Sequence, residues 1–307
     1  MSVDARTVKE LRDRTGAGMM DCKRALTETE GDLDASVALL REKGLASAAK
    51  KSGRVAAEGL VGVFANAGGS EAILLELNCE TDFVAKNDAF GTLLQTVGSG
   101  LLDASGIDEG TSETAADVSV GNGSKMSDVL TEAVASIGEN IGLRRFVRVS
   151  TDSGRVGSYV HAGGKIGVLV ELAGASDVHD DLTRALAMQV AAAMPRYVRR
   201  EEVPASDVDA EREIFRNQAL ASGKPEKVVD KIIDGKVDKF FREICLVEQE
   251  YVRDSQLTVA KLLEQTGKET GTELRIERFV RYQLGEGIER RETNLAAEVA
   301  EQIGKSS

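Results

Sequence analysis

The sequence predicts an α+β fold on three observations. Apolar residues recur at helical spacing through the first 45 positions. A 24-residue segment that reads as a β-hairpin occurs twice, at Gly59–Asp82 and Gly154–Asp177. A third stretch, 205–246, is punctuated as two antiparallel helices.

Three short helices account for the start. Asp4 can cap the first, with Val8 and Leu11 on one face, and the glycines of "TGAGMM" break it. The second, "MMDCKRALTET", places Met19, Cys22, Ala25 and Leu26 at three-to-four spacing; of the adjacent Met19 and Met20, one is expected to face inward. Asp32 caps the third, Leu33, Val37 and Leu40 point in, and Gly44 is its expected stop. The small, basic "LASAAKKSGRVAAEG" then suits a linker or helical tether.

"GLVGVFANAGGSEAILLELNCETD" aligns without a gap on "GRVGSYVHAGGKIGVLVELAGASD", with ten of twenty-four positions identical. Each copy reads as strand, Ala-Gly-Gly turn, strand, and continues into an amphipathic helix. Two similar subdomains about a pseudo-two-fold are expected. The acidic 104–125 stretch is expected as an exposed loop, and 126–150 as a helix and a strand. In the helical hairpin Ser206 is the expected first cap, Gly223 the end, and Pro225 the start of the second helix. Val208, Ile214 or Phe215, and Ala219 should meet Val229, Ile233, Phe240 and Ile244. "ELRIERFVRYQLGEGIE" alternates as a strand running to a turn, and "RETNLAAEVAEQI" reads as a last amphipathic helix.

Composition excludes several classes of function. A net charge of −12 argues against uniform affinity for nucleic acid, which needs a local cation excess, or for an anionic membrane surface. The charged start has no apolar signal core, and no apolar run reaches the ~20 residues of a membrane helix. Cys22, Cys79 and Cys245 are odd in number and scattered, which fits buried, reduced thiols in a cytoplasmic protein rather than disulfides or a zinc site. With only His161 and His179 available, no catalytic triad or metal set assembles, so neither catalytic residues nor a cofactor are expected. "AGGKIG" fails as a phosphate loop because Tyr159 stands where a glycine is required and Ile166 where Ser or Thr is required. An enzyme using Cys79 or His161, or an adaptor recruiting through the bundle, are the rival classes.

"TDFVAKN", Thr81 to Asn87, stands apart. Thr81 or Asp82 could cap the next helix, Phe83 could staple it, and Lys86 could be a solvated charge. The repeat argues otherwise: the second copy is faithful to Asp177 and then reads "VHDD", without Phe or Lys. The join folds without the aromatic, so Phe83 is expected to face another molecule.

These motifs resemble the elongation factor Ts family, the nucleotide-exchange factors of elongation factor Tu. The likeness runs through "VKELRDRTGAGMMDCKRAL", "NCETDFVAKN", "IGENIGLRR", "GSYVHAGGKIGVLV", the helical hairpin and "GEGIE". It implies a ubiquitin-associated-like bundle and tether (1–54), a two-part core (55–150; 151–204 with 247–284), an antiparallel coiled coil (205–246) and a C-terminal module (285–307). It implies that Asp82 and Phe83 intrude near the partner's magnesium site. Further contacts map to Arg12, Met19, Met20 and Lys23, to Ile137 and Gly138, to His161, and to Val252, where Arg253 replaces the usual apolar neighbour. The projecting coiled coil is also a candidate surface for a homodimer or a 2:2 assembly.

Overall fold

A computed structural model describes residues 3–222 and 225–289. The chain is a mixture of helix and antiparallel sheet, an α+β protein. The expected last helix lies outside the described residues, as does Gly223.

The first three helices are α1 (Ala5–Thr15), α2 (Met19–Glu28) and α3 (Leu33–Lys51). Asp4 caps α1 by accepting from the Arg6 amide, and Asp32 caps α3 by accepting from Ala35 at 2.9 Å. Val8, Leu11, Cys22, Ala25 and Leu26 form their buried core. Two expectations are corrected. Met19 and Met20 are both exposed, at 60% and 65%, because α2 starts at Met19 and its buried stripe begins only at Cys22. Gly44 does not stop α3, which runs on through the alanine-rich tether to Lys51. Gly44 is buried against Ala135 and Thr131 of a later helix, and that close packing offsets the helix cost of a glycine.

The first sheet unit contains β1 (Glu58–Ala65), β2 (Glu71–Cys79), α4 (Asp82–Ala85), α5 (Asp88–Asp103), β3 (Glu109–Gly110), β4 (Ser119–Val120), β5 (Ser124–Lys125), α6 (Met126–Ile137) and β6 (Gly142–Ser150). Its four-stranded sheet has the order β1-β2-β6-β3. The second unit has β7 (Gly154–His161), β8 (Ile166–Ala173), α7 (Asp180–Ala193), α8 (Ala205–Ala221), α9 (Glu226–Ile244), β9 (Glu250–Tyr251), β10 (Asp254–Thr258), α10 (Val259–Thr270) and β11 (Arg275–Gln283). Its sheet runs β11-β8-β7.

The repeated plan extends beyond the repeated sequence. In each unit a hairpin leads to a helix, and a later helix leads to a strand on the hairpin's second member. The excursion between those helices differs. In the first unit it is the acidic 104–125 stretch, which is ordered: β3 adds to β6, and the Arg148 guanidinium donates to the Leu101, Ala104 and Ile107 carbonyls. In the second it is the α8–α9 hairpin.

Phe215, rather than Ile214, joins Val208 and Ala219 against Val229, Ile233 and Val237; Ile214 stays 48% exposed. Ser206 does not cap α8, because the helix starts two residues earlier than that cap requires, at Ala205 with Pro204 at the cap. Arg212–Asp234 and Arg216–Asp230 pair across the two helices. At the base Arg200 binds Glu248 and Asp238 and lies over the Phe241 ring at 4.6 Å.

The two sheets meet through Val61, Leu74, Val149, Val156, Leu169 and Leu284. Their approach is close: a side chain at Gly167 would meet Val61 Cγ1 at 2.5 Å. The Val61 amide donates to the Gly164 carbonyl at 2.7 Å. A polar joint closes one side of the interface. Fully buried Glu76 on β2 receives Arg144 at 2.9 Å, Arg145 at 2.7 Å and the Gly285 amide at 2.8 Å. Arg145 also lies over Tyr282 at 4.0 Å.

Two outcomes are expected. Glu76→Ala strips two guanidinium groups of their buried partner and should lower unfolding stability by roughly 3 kcal/mol; a loss below ~1 kcal/mol in denaturant titrations would contradict the joint's role. All three cysteines are buried. Burial foremost, then the Glu139 charge, pushes the Cys79 thiol up to about 12; burial, then Glu248, pushes Cys245 up to about 11. Iodoacetamide near neutral pH should therefore leave the folded chain unmodified and label it only after denaturation. Rapid labelling of Cys79 in the folded chain would contradict this packing.

Candidate functional site

β2 leaves the sheet at Cys79, whose thiol donates to the Thr81 carbonyl at 3.2 Å. Thr81, in extended conformation, caps α4 by accepting from the Val84 amide at 3.3 Å. One turn later Asn87 caps α5 by accepting from Ala89 at 2.9 Å. A single helical turn between two caps has only one inward face. Val84 and Ala85 occupy it and pack on the first unit's core. Phe83 points the other way and is 82% exposed, so it does not staple the helix. Lys86 reaches back to Asp82 at 2.6 Å. That hydrogen bond, with smaller help from the Lys86 and Lys165 charges, holds the Asp82 carboxyl below its ordinary range; the same bond, with help from the Asp82 charge, raises the Lys86 amine. Both groups lie in water, so the pair contributes little to folding.

The turn after α6 underpins this one. Gly138 ends α6 in the left-handed region at φ 90°. The next residue, Glu139, accepts from the Glu80 and Thr81 amides, each at 3.0 Å, and from the Thr81 hydroxyl at 2.6 Å. Glu80 returns the tie by accepting from the Asn140 amide at 2.6 Å. The Asn140 side chain donates to the Arg54 carbonyl at 2.8 Å. Strand end, α6 end and the chain just after α3 thus converge beneath Phe83.

The 161–165 turn completes the neighbourhood. His161 is exposed, with Nδ1 2.9 Å from the Tyr159 hydroxyl. Lys165 binds Glu58 at 3.0 Å, and Glu58 is the β1 residue registered with Cys79. Asp82, Phe83, Ile137, Gly138 and the His161 turn therefore belong to one neighbourhood. Arg12, Met19, Met20 and Lys23 stand on α1 and α2, all exposed. Val252 is half-exposed beyond β9, its amide donating to Gln189 Oε1 at 2.8 Å, while Arg253 reaches Met188 Sδ at 3.3 Å.

The second copy shows how the position of Phe83 is specified. Its equivalent, Val178, is 71% exposed. Ser176, the equivalent of Thr81, caps a short 3-10 turn with His179. His179 accepts from the Ser176 amide at Nδ1, and its Nε2 lies 3.1 Å from the Thr270 hydroxyl, at the end of α10. Both units tie the turn after the second strand to the end of the later helix, and both turn the side chain at the equivalent position outward. Neither period nor repeat singles out Glu80, Glu139 and Asn140. The available signal was an acid directly after the helix-ending glycine in "IGEN" and another opening "ETD".

The arrangement is an outward projection on a braced base. Among the described residues no cluster of His, Cys, Asp and Glu could hold a metal ion, and no helix is long and apolar enough to cross a membrane. A groove of about 700 Å³ lies elsewhere, between the first three helices and α6, lined in part by Val37, Leu40, Leu45 and Ala135.

Comparison with known proteins places this geometry. The family described as Elongation factor TS matches residues 80–286, from Glu80 through Glu286. Elongation factor Ts of Clostridium botulinum (strain Alaska E43 / Type E3) is 47% identical over 307 residues, covering 99% of this chain and all of that protein. Elongation factor Ts of Clostridium perfringens (strain 13 / Type A) is 47% identical over 310 residues, with the same coverage. That of Halothermothrix orenii is 45% identical over 308 residues, again covering 99% of this chain and all of that protein. With two thirds of its length matched by the family and nearly all of it aligned to these relatives, the chain belongs to the elongation factor Ts family of translation elongation factors.

Proposed function

We propose that the chain is a guanine-nucleotide exchange factor that binds elongation factor Tu carrying GDP, disturbs its magnesium and nucleotide site, and promotes GDP release. One observation carries the proposal: Phe83 stands 82% exposed on a braced turn beside a salt-bridged Asp82. A ring left in water on a rigid base is preorganised for a cleft in another molecule. Magnesium demands near-ideal octahedral coordination, so a small displacement of the partner's ion-binding loops weakens the bound diphosphate. Phe83 enters the cleft, and Asp82, released from Lys86, perturbs the surroundings of the ion.

The magnitudes require more than a wedge. Burying one Phe returns roughly 1.5–3 kcal/mol, and each tenfold in nucleotide affinity takes about 1.4 kcal/mol. Phe83 alone thus supplies one to two decades. In this proposal the remainder comes from Arg12, Met19, Met20 and Lys23 on the ubiquitin-associated-like bundle, from Ile137, Gly138 and His161 around the wedge, and from Val252 and the coiled coil on the partner's other domains. The bundle and tether (1–54), the core halves, the coiled coil (205–246) and the C-terminal module (285–307) act as separate contact elements. Coupling is reciprocal: the factor weakens the nucleotide, and the nucleotide expels the factor to the same degree. The setting is cytoplasmic and the contact is protein to protein, without direct nucleic-acid binding. The half-exposed Ile214 makes α8 the candidate surface for a homodimer or a 2:2 assembly.

Stopped-flow release of fluorescent GDP from elongation factor Tu tests this. Phe83→Ala, folded as the parent, should lower stimulated release by about 10–100-fold. Release as fast as with the parent would overturn the proposal.

A further inference from the structure

We infer that Glu139 is a positioning residue for Asp82 and Phe83, and that its carboxylate makes the 80–83 and 137–140 turns one mechanical unit. The inference rests on the exchange function proposed above and adds a residue to it.

The backbone at the end of β2 needs an outside partner. Pairing with β1 ends at Cys79, opposite Glu58, and pairing with β6 ends at Asn78, opposite Gly142. The next two amides, of Glu80 and Thr81, therefore leave the ladder unmatched. Glu139 takes both on a single oxygen, and its other oxygen takes the Thr81 hydroxyl. That hydroxyl in turn accepts from Val84, one residue beyond Phe83. A continuous chain of hydrogen bonds thus runs from the Glu139 carboxylate into α4, each bond polarising the next. Because the acceptor is ionised, these bonds are stronger than neutral ones.

The tie is also two-way. Glu80 accepts from Asn140, so each turn contributes a carboxylate to the other's backbone. Ile137 and Gly138 immediately precede Glu139. A partner pressing on that pair displaces the support of Phe83, and a ring held by its partner fixes the 137–140 turn. Neither Glu139 nor Glu80 needs to touch the partner for this.

The test combines three measurements on the full chain. In hydrogen exchange of the free protein, Glu139→Ala should remove protection at the Glu80 and Thr81 amides while the central β2 amides stay protected. At saturating factor, Glu139→Ala should slow stimulated GDP release by about tenfold, bounded by the loss in Phe83→Ala. In the double variant the two losses should not add, because one residue acts through the other. Glu139→Gln should retain most of the activity: its amide oxygen still accepts both amides and its NH₂ donates to the Thr81 hydroxyl. If Glu139→Ala does not fold, Thr81→Val cuts the hydroxyl link between Glu139 and the Val84 amide while leaving the two backbone bonds in place, and it carries the same expectations for release and for non-additivity with Phe83→Ala. Additive losses, or unchanged exchange at residues 80 and 81, would overturn the positioning role. If Phe83→Ala slows release and Glu139→Ala does not, only this inference falls. If Phe83→Ala leaves release unchanged, the exchange proposal falls and takes this one with it.

Discussion

A phenyl ring left in water forgoes roughly 1.5–3 kcal/mol that burial would return, so a fold that presents one must prevent the turn from rearranging to cover it. That constraint governs the architecture around Phe83. The turn is too short to choose its own face: Thr81 fixes its start, Asn87 begins the next helix, and Val84 and Ala85 occupy the only inward positions. What remains is to stop the whole turn from rocking. The carboxylates of Glu139 and Glu80 do so, by crossing between two chain segments that are nearly 60 residues apart in sequence. They work because the groups they hold are backbone amides, fixed in direction by the strand end and the helix end. The brace then reaches the first three helices through Asn140 and the Arg54 carbonyl, so the base of the projection is anchored beyond its own sheet.

The duplicated plan clarifies what is scaffold and what is special. Each unit has a hairpin, a helix, an excursion, a second helix and a third strand, and each ties its turn to the end of the second helix. In the second unit the tie is made by the His179 ring and the Thr270 hydroxyl, and the ejected side chain is Val178. In the first it is made by carboxylates, and the ejected side chain is Phe83. The fold supplies the outward direction in both places, and only one copy uses it for a large aromatic beside an acid. The excursions divide in the same way: a short ribbon and loop held by Arg148 in one unit, a projecting helical hairpin fixed at its base by Arg200 in the other. The Glu76 joint keeps the units in register, which matters because the His161 turn belongs to the second unit while Phe83 belongs to the first.

Much of this was legible in the sequence wherever the chemistry is local. Asp4 and Asp32 were readable as caps because a cap needs only its own next three residues. The hairpins were readable because the repeat displays the same turn twice, and the outward role of Phe83 because the second copy lacks it. Misreadings arose where a distant segment decides. Gly44 has the local signature of a helix stop, yet α6 packs on it and the helix continues. Met19 fits the helical period but precedes the first inward turn. Ile214 and Phe215 are neighbours, and period alone does not separate them. The helix α10, "VAKLLEQTGKET", went unread between the coiled coil and the last strand. Glu139 is hard to read for the same reason: its three hydrogen bonds reach 58 and 59 positions back along the chain, and the acid after the glycine in "IGEN" does not say which segment it holds.

Under the exchange proposal, Phe83 is solvated in the free chain and becomes covered by the partner's nucleotide-binding domain. Fluorine NMR of the full chain with 4-fluorophenylalanine at position 83 measures both states in one sample. The free chain should give a sharp resonance with a large H₂O-to-D₂O solvent shift, and that solvent shift should be lost on adding elongation factor Tu with GDP. A resonance already shielded from solvent in the free chain, or one unchanged in the complex, would contradict it.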